Sequence, residues 1–405
     1  MITRATNPVY GGYTISRTKE GVFFIQGAIP DEIVEVKPVS KKSHYSFATV
    51  KKVIEPSPDR INPECPEFNR CGGCHYQFIT YSRQVLIKEE IIKDSLKRIA
   101  KIETDMLPAI TGSEWHYRMR ARMKINHNGK LSFFSTASHT PVTIKVCPVL
   151  FPKINNFISK VTFESFPDKI SQMEIQVGEK GPEETVIHIP KIHYSDTEIK
   201  EIIKKTGNVL ISTEEEKRES RPKLYFELCG LDFSVSSGVF FQSNWPLNKK
   251  LVMEVVDFVK KTSASKIIDL YAGSGNFSLP LAFVCKKVIA VEENKIACMD
   301  GKDNAIKNHF GNIEFFNCDV ESFDIPENAE LIVVDPPREG MSKKVVEKIL
   351  NSKANFIIYV SCNPSTFARD IKRLCLVFSL LKVRLVDMFP QTFHIELLGI
   401  LSRKM

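Results

Sequence analysis

The sequence of 405 residues contains no long hydrophobic run. Its longest apolar segments, such as Leu331–Val334 and Phe356–Val360, fall far short of the roughly 18 residues that a membrane-spanning helix needs. The opening residues, Met-Ile-Thr-Arg-Ala-Thr-Asn-Pro, lack the apolar stretch of a secretion signal. We therefore expect a cytoplasmic protein that has no membrane contact.

Acidic residues are outnumbered in this chain. Lys and Arg total 56 and Asp and Glu total 48, which gives a net charge of +8. This balance permits an acidic partner such as nucleic acid but does not establish one. A hydrophobic content of 43% with 26% charged residues excludes a globally disordered chain. The length predicts two or three domains, and we expect the chain to act as a monomer.

A disulfide framework is also excluded, although the chain has 10 cysteines, because cytoplasmic thiols stay reduced. Three of them are neighbours in the pattern Cys65-x5-Cys71-Gly-Gly-Cys74, and Cys147 follows within Lys145-Val-Cys-Pro. Three close thiolates with a distant fourth are typical of a tetrathiolate metal site. The thiolate count alone leaves zinc and an iron–sulfur cluster open.

Turn-forming residues and a proline-rich stretch divide the chain into three regions. Residues 1–56 contain short strand-like segments, which predict a small antiparallel β-barrel. Residues 57–222 hold the cysteines and a segment, 82–102, in which apolar residues recur at helical spacing and which we expect to pack on the last region. Residues 223–405 form the third region.

The third region alternates helical segments with short, β-branched segments, and this pattern is typical of an open α/β sheet. The strand-like segments are Lys266–Leu270, Val288–Glu292, Ile313–Asn317, Leu331–Asp335, Phe356–Val360, Lys382–Met388 and Ile395–Leu401. We predict an α/β fold with a Rossmann-like parallel sheet, followed by a possible antiparallel pair at the end.

A glycine-rich loop follows the first of these strands, in Asp269-Leu-Tyr-Ala-Gly-Ser-Gly-Asn-Phe. Gly273 and Gly275 allow a tight turn and close backbone approach to a ligand. The third glycine of the dinucleotide fingerprint is missing, because position 278 is Ser. Glu292 ends the next strand, where a carboxylate can bind both ribose hydroxyls. A nucleoside without a pyrophosphate fits this loop, and S-adenosylmethionine is the candidate that we favour over a plain structural turn.

Two further strand ends carry residues suited to chemistry. Asp335-Pro-Pro-Arg338 follows the fourth strand, where many users of this methyl donor carry an aromatic residue that stacks on an amine. Arg338 occupies that position, which disfavours amine methylation. Cys362 follows the fifth strand, and we expect the N-terminus of the next helix to favour its thiolate. A small buried structural cysteine is the alternative.

The last strand-like segment carries a possible base, since His394 and Glu396 would share one face of it. Burial among the following apolar residues would raise the pKa of Glu396. Methylation of pyrimidine carbon 5 needs a nucleophile that adds to carbon 6 and a base that later removes the carbon 5 proton. Cys362 and Glu396 could supply these two roles, while Asp335 and Gln242 could hydrogen-bond the donor or the base.

Taken together, these motifs resemble the RNA uracil-5-methyltransferase family, and specifically its iron–sulfur branch, over nearly the whole chain. The resemblance is carried by Phe241-Gln242-x-Asn244, Asp269–Phe277, Asp335-Pro-Pro-Arg-x-Gly340, Ser361-Cys-Asn-Pro-x-Thr-x-Ala-Arg-Asp370, Asp387-x-Phe-Pro-x-Thr-x-His-x-Glu396 and the Cys-x5-Cys-Gly-Gly-Cys pattern. It implies S-adenosylmethionine-dependent formation of 5-methyluridine in RNA.

The resemblance also implies roles for individual residues. Cys362 is the nucleophile and Glu396 is the base. The positions matching the methyl-donor site are Gln242, Tyr271, Asn276, Glu292, Asp319 and Asp335. The positions matching the [4Fe–4S] ligands are Cys65, Cys71, Cys74 and Cys147, with zinc as the alternative. The first region resembles a TRAM domain, a small RNA-binding barrel.

A strand with alternating basic residues is the densest positive feature of the sequence. Arg118, Arg120, Arg122 and Lys124 point one way, and apolar residues point the other. We expect this face to contact RNA phosphates, although a solvated strand face is the ordinary alternative. The RNA is expected to be 23S rRNA, with tRNA open. A non-catalytic metal-cluster RNA-binding protein is the alternative from another functional class.

Overall fold

The structure is a computed structural model that describes residues 1–126, 128–136, 138–160, 172–180, 185–189, 209–213 and 216–404. Parts of the predicted central region, including residues 161–171 and 190–208, lie outside the described residues. Among the helices in the described ranges, none combines the length and the apolar character that crossing a membrane requires.

The first region forms a six-stranded sheet. Its strands are β1 (Ile2–Arg4), β2 (Pro8–Val9), β3 (Tyr13–Thr18), β4 (Gly21–Gln26), β5 (Ile33–Lys41) and β6 (Tyr45–Glu55), in the spatial order β1-β5-β6-β4-β3-β2. The sheet curls until β1 approaches β3, where Thr3 Oγ1 lies 2.5 Å from Ser16 Oγ. The prediction of a wholly antiparallel arrangement is wrong, because β4 and β6 pair in parallel.

The central region combines a long helix with a second sheet. Helix α1 (Tyr81–Ser95) continues into a π-helical turn (Leu96–Ala100) that ends at Lys101, whose φ is +62°. The sheet contains β7 (Arg120–Ile125), β8 (Leu131–Phe134), β9 (Pro141–Thr143), β10 (Gln172–Gln176), β11 (Thr185–Ile189) and β12 (Val209–Thr213), in the order β12-β11-β10-β7-β8-β9. Helix α2 (Pro152–Lys160) lies against it.

The third region opens with the hairpin of β13 (Lys223–Leu228) and β14 (Leu231–Ser236). Its helices are α3 (Trp245–Thr262), α4 (Ser278–Leu281), α5 (Lys295–Lys307), α6 (Lys343–Asn351) and α7 (Pro364–Leu374). Its main strands are β15 (Lys266–Leu270), β16 (Lys287–Val291), β17 (Ile313–Phe316), β18 (Leu331–Val334), β19 (Phe356–Ser361), β20 (Phe378–Val386) and β21 (Glu396–Arg403). The predicted strand segments and the predicted antiparallel end are confirmed.

The seven main strands form one sheet in the order β17-β16-β15-β18-β19-β21-β20. Strands β15 to β19 are parallel, so the loops that follow them meet at one edge of the sheet. Strand β21 runs antiparallel to β19, so it begins where β19 ends. Strands β16 and β17 lie on one side of β15, and β18 and β19 lie on its other side. Ligands of open α/β sheets bind at such a switch point.

Two large hydrophobic cores cover the two faces of this sheet, because successive strand residues point to opposite sides. Ile267 of β15 belongs to the core that also contains Ala121 and Met123 of β7. The next residue, Ile268, belongs to the core that also contains Ile87 and Ile91 of α1. The central region therefore shares both cores with the third region, whereas the N-terminal sheet has a small core of its own.

Candidate active site

The strand register brings Cys362 and Glu396 together. Ser361, the last residue of β19, pairs with Leu397 of β21, so the next residue, Cys362, lies opposite Glu396. Asn363 then caps α7 by accepting hydrogen bonds from the backbone amides of Ser365 and Thr366. The nucleophile and base predicted from separate motifs are therefore neighbours at the carboxyl edge of the sheet.

The Cys362 thiol is protonated at neutral pH in the free protein. Burial raises its pKa to about 12, and the nearby Glu396 and Asp335 carboxyls add to this, while the Arg338 guanidinium acts in the opposite direction. The predicted support of the thiolate by the N-terminus of α7 stays a prediction. Burial and two neighbouring carboxyl groups act against the thiolate, because charging a further acidic group beside them is unfavourable.

Glu396 is 3% exposed, at the start of β21. Burial raises its pKa well above the usual value, as expected from the sequence, and Asp335 adds to this while Arg338 opposes it. Arg338 itself is exposed at the mouth of the site, where its carbonyl accepts hydrogen bonds from Asn363 and Thr366. The guanidinium is thus the positive group that acts on both reactive side chains.

The predicted placement of His394 is wrong. Strand β21 begins only at Glu396, so His394 lies in the preceding loop, where its ring packs on Phe389 and Phe393. Burial and the neighbouring Arg338 lower the pKa of His394 to about 4, so the imidazole is neutral. Its part in the site is therefore that of an aromatic wall rather than a charge.

The glycine-rich loop after β15 and the acid after β16 meet as predicted. Gly273 adopts φ +57° and Gly275 φ +93°, conformations that glycine adopts without steric cost. The amide of Gly273 donates to Glu292 Oε2 at 2.8 Å, and the amide of Asn294 donates to Glu292 Oε1 at 2.7 Å. Both carboxylate oxygens are thereby held at the switch point of the sheet, with lone pairs left for a ribose.

The other predicted donor-site residues surround the same loops. Tyr271 follows β15 directly with φ +65°, and burial together with the nearby Asp319 raises its pKa to about 12. Asn276 exchanges two hydrogen bonds with Asn248 of α3, at 2.7 and 3.1 Å. Gln242 is 8% exposed in the segment that leads into α3. The side chain of Asp319 is exposed after β17.

The fully buried Asp269 and the half-buried Asp335 form a pair of interacting carboxyl groups, and only Asp335 was predicted as a site residue. Burial and the neighbouring Asp269 raise the pKa of Asp335 to about 7, and burial also raises the pKa of Asp269 to about 7. Asp269 accepts a hydrogen bond from Ser278 Oγ at 2.5 Å. The signal that could have identified Asp269 is an acid inside an otherwise apolar buried strand.

Tyr10 is a site residue that the sequence analysis missed. Its hydroxyl donates to the Cys362 carbonyl at 3.5 Å, and its ring packs edge-on against Phe393 at 5.6 Å. The following Gly12, with φ +83°, lies where an added Cβ would be 3.4 Å from Phe393 and 3.5 Å from His75. The turn between β2 and β3 thus enters the site from the N-terminal sheet, which no local motif indicated.

The four predicted metal ligands line a single cavity of about 290 Å³, so the chain brings Cys65, Cys71 and Cys74 to the distant Cys147. Burial, with the neighbouring thiols adding to it, raises the pKa of Cys74 to about 11 and that of Cys147 to about 12. Across the described part of the chain, no group of three or more His, Cys, Asp or Glu is placed to hold a metal ion.

The basic strand alternates as predicted, but its charge is partly neutralised. Tyr117, Met119, Ala121 and Met123 are buried on the opposite side. Arg120 and Arg122 form ion pairs with the buried Glu174 at 2.6 and 3.2 Å. Lys124 is hydrogen-bonded to Gln172, and Arg118 lines the cysteine cavity. The Arg122 side chain keeps 61% of its surface exposed, against 18% for Arg120, so it is the more accessible of these two arginines.

Comparison with known proteins shows what this arrangement belongs to. Residues 227–405 match the tRNA (uracil-5-)-methyltransferase family. An RNA methyltransferase of Aquifex aeolicus (strain VF5) is 31% identical over 418 residues, covering 98% of this chain and 97% of the relative. The 23S rRNA (uracil(1939)-C(5))-methyltransferase RlmD of Pectobacterium atrosepticum is 30% identical, covering 95% and 90%. The chain belongs to the RNA uracil-5-methyltransferase family.

A solved structure supports the fold of this methyltransferase. The Pyrococcus abyssi tRNA (uracil-54, C5)-methyltransferase, determined in complex with S-adenosyl-L-homocysteine, has a TM-score of 0.75 and covers 99% of this chain and 100% of its own. Sequence identity to it is 23%, so the likeness concerns the fold. The match confirms the expected methyltransferase-like α/β fold.

Proposed function

We propose that this methyltransferase transfers a methyl group from S-adenosylmethionine to carbon 5 of a uridine in 23S rRNA. The observation that carries the proposal is the register that sets the Cys362 thiol opposite the Glu396 carboxyl at the edge of the sheet. An RNA-binding protein without catalytic function would not need a nucleophile and a base to be neighbours there. Family membership supports the same reaction class.

Cys362 starts the proposed reaction. Its thiol must lose a proton to water, and Arg338 favours this step because its charge lowers the thiol pKa. The sulfur electron pair then forms a bond to carbon 6 of the uracil, and the electrons of the carbon 5–carbon 6 double bond move to the carbonyl oxygen as an enolate. Carbon 5 of the enolate would then attack the sulfonium methyl group of the donor; the sulfur–methyl bond breaks, and its electron pair leaves with the thioether product.

Glu396 completes the reaction. Its carboxylate accepts the proton on carbon 5, and the electron pair of that C–H bond re-forms the double bond between carbons 5 and 6. The carbon 6–sulfur bond breaks, and its electron pair returns to Cys362 as a thiolate. A carboxyl group with a raised pKa suits this role, because a base works best when its pKa is close to the working pH.

The donor site is proposed at the switch point of the sheet. Glu292 is held by the amides of Gly273 and Asn294, in the position where a carboxylate can receive ribose hydroxyls. The remaining contacts are assigned to Gln242, Tyr271, Asn276, Asp319 and Asp335. Removal of Glu292 is expected to weaken donor binding with little effect on RNA binding.

We assign the cysteine cavity to a [4Fe–4S] cluster held by Cys65, Cys71, Cys74 and Cys147. Four thiols around one cavity fit the donor set of such a cluster. The proposed chemistry transfers no electrons, so the cluster would act by tying the cysteine loop to the segment before α2. Absence of broad visible absorbance, together with stoichiometric zinc, would contradict this assignment in favour of zinc.

The N-terminal sheet is proposed to bind RNA as a TRAM-like domain. Four aromatic rings lie together on the face opposite its core, with centroid distances of 5.2 to 6.4 Å between the adjacent pairs. They are Tyr13, Phe24, Tyr45 and Phe47. Rings on a sheet surface can stack on unpaired bases. The exposed Arg122 would add a phosphate contact, and a 23S rRNA substrate would place the enzyme in the cytoplasm.

The decisive experiment uses RNA that contains 5-fluorouridine in place of uridine. A base can remove a proton from carbon 5 but cannot remove the fluorine that replaces it. The methylated intermediate therefore stays covalently bound to the enzyme. We expect a covalent protein–RNA complex with wild-type enzyme and donor, and none with Cys362→Ala. Comparing 23S rRNA and tRNA fragments in the same assay identifies the substrate. A wild-type enzyme that forms no complex with either RNA would contradict the proposed function.

A further inference from the structure

The loop that carries the chain into Glu396 is held mainly by residues outside the third region. This loop, residues 387–395, connects β20 to β21. The carbonyl oxygens of residues 388–391 all accept hydrogen bonds from other parts of the chain. The donors are the Asn244 side chain to Met388, Lys88 to Phe389, the Tyr117 hydroxyl to Pro390, and the amides of His75 and Tyr76 to Gln391.

Two side chains of α1, Gln84 and Lys88, make the most specific of these contacts. They are four residues apart and therefore lie on one helix face. Lys88 and Asp387 are both fully buried, and Lys88 Nζ donates to Asp387 Oδ1 at 2.5 Å and to the Phe389 carbonyl at 3.0 Å. A buried ammonium that donates to both an acid and a carbonyl fixes the first turn of the loop.

Gln84 fixes the middle of the same loop. Its amide nitrogen donates to Gln391 Oε1 at 3.0 Å, and its amide oxygen accepts from the Gln391 backbone amide at 2.9 Å. The same nitrogen also donates to the carbonyl of Ile79, at 2.9 Å. Gln391 needs this support because its φ is +68°, a conformation that costs energy for a residue other than glycine.

We propose that Gln84 and Lys88 are positioning residues for the general base, and that their contacts with the loop set the place of Glu396 in the elimination step. The inference rests on the proposed roles of Cys362 and Glu396. Cys362 lies on the other side of the site, between β19 and α7, and the loop does not carry it. Disturbing the loop should therefore slow proton removal from carbon 5 more than attack on carbon 6.

The test separates these two steps in the full-length enzyme. Trapping on 5-fluorouridine RNA reports attack and methyl transfer, since no base can release that complex. On ordinary uridine RNA, slow removal of the carbon 5 proton by Glu396 instead lets the methylated covalent complex accumulate before product forms. Gln84→Leu removes the amide, Gln84→Glu keeps its shape but removes its donors, and Ser95→Ala is a matched control at another buried position of α1.

We expect both Gln84 variants to slow product release at least tenfold. The upper limit is the roughly 100-fold loss of rate that a displacement of about 1 Å causes. Covalent complex on uridine RNA should rise accordingly, as with Glu396→Gln, while trapping on 5-fluorouridine RNA stays within about twofold of wild type. Ser95→Ala should resemble wild type in both assays. If Gln84→Leu does not fold, Gln84→Glu carries the test.

Two results would overturn the inference while leaving the proposed function intact. One is an equal slowing of trapping and release in the Gln84 variants, which indicates general destabilisation. The other is wild-type release in both variants. A wild-type enzyme that forms no 5-fluorouridine complex would instead refute the proposed function, and the positioning role would be refuted with it.

Discussion

At the scale of single residues, burial, two carboxyl groups and one guanidinium together set the pKa of the Cys362 thiol. Glu396 and Asp335 raise the pKa of the thiol beyond what burial does, and Arg338 lowers it. With a pKa of about 12, only a small fraction of the thiol is ionised at neutral pH. We therefore expect Cys362 of the free enzyme to react slowly with oxidants and alkylating agents at neutral pH.

This leads to a prediction about alkylation of Cys362 by iodoacetamide. The thiolate is the reactive form, so the rate should rise roughly tenfold for each pH unit between about pH 7 and 10, below the thiol pKa. Arg338→Met should slow the reaction at each pH, because it removes the group that lowers the pKa. Mass spectrometry of the peptide containing Cys362 measures the rate, with the remote Arg373→Met as control. Faster alkylation in Arg338→Met would contradict the argument.

The buried Asp269 gives a second prediction, about stability. Burial raises its pKa to about 7 in the folded chain, from 3.8 for an exposed Asp. Between these values the folded state holds a proton that the unfolded state has lost, so the free energy of unfolding falls as pH rises from about 4 to 7. Asp269→Asn should remove this decline and stabilise the protein at pH 8 by on the order of 1–2 kcal/mol.

Urea denaturation at pH 5 and pH 8 measures the effect of Asp269→Asn. The gain should be larger at pH 8 than at pH 5, because the wild-type carboxyl is ionised only at the higher pH. Asp319→Asn, at an exposed carboxyl on the same edge, should leave the pH dependence unchanged. Equal effects of Asp269→Asn at both pH values would contradict the argument, because they would show that the wild-type Asp269 carboxyl does not change its ionisation between pH 5 and pH 8.

At the scale of elements, strand β7 shows why a charge pattern is only part of a binding surface. The sequence shows four basic residues on one face of β7. It does not show that β10 pairs with β7 and places Glu174 between two of the arginines. Arg120, whose side chain is 18% exposed, is largely occupied by this carboxylate. Arg122 keeps most of its surface free for a phosphate.

We therefore predict unequal effects of substituting these arginines. Arg122→Ala should weaken RNA binding and reduce the slope of log K against log salt by about 0.7 to 0.9, the value for one phosphate contact. Glu174→Gln should strengthen binding, because it releases the positive charge that the ion pairs now occupy. Binding measured by filter retention from 50 to 300 mM salt tests both, with Lys353→Ala as a surface control. A Glu174→Gln variant with wild-type affinity would contradict the argument.

The elements of the third region could be predicted from the sequence because each strand is short, β-branched and followed by a polar motif. Parallel strands place such motifs at one edge, so the positions of Glu292, Asp335 and Cys362 followed from local pattern. Contacts that depend on distant pairing could not be predicted this way. The parallel pair of β4 and β6, the ion pairs of Glu174 and the entry of Tyr10 into the site are of this kind.

At the scale of the whole molecule, the central and third regions share two hydrophobic cores. Core residues from β7 and α1 cover opposite faces of the seven-stranded sheet. The N-terminal sheet adds its own core of seven buried residues, including Phe23, Ile25 and Val34. The three regions seen in the sequence thus correspond to two hydrophobic units, while the active site takes residues from all three regions.

We predict that segment 57–405 unfolds in one cooperative transition, whereas segment 223–405 does not. The shorter segment would expose both sheet faces, and large exposed apolar patches destabilise a fold and promote aggregation. Urea unfolding followed by circular dichroism measures cooperativity in both. A steep transition for segment 223–405, with a slope that matches its length, would show that the sheet does not depend on the central region.

The contact between α1 and the loop before Glu396 also has a consequence during synthesis. Lys88 and its partner Asp387 are 299 residues apart in the chain. At about 5–20 residues per second, a ribosome makes Asp387 roughly 15 to 60 s after Lys88. During that time the face of α1 that carries Gln84 and Lys88 is exposed, because the loop that will cover it has not yet been made. We therefore expect α1 to be accessible to a chaperone during this interval of synthesis.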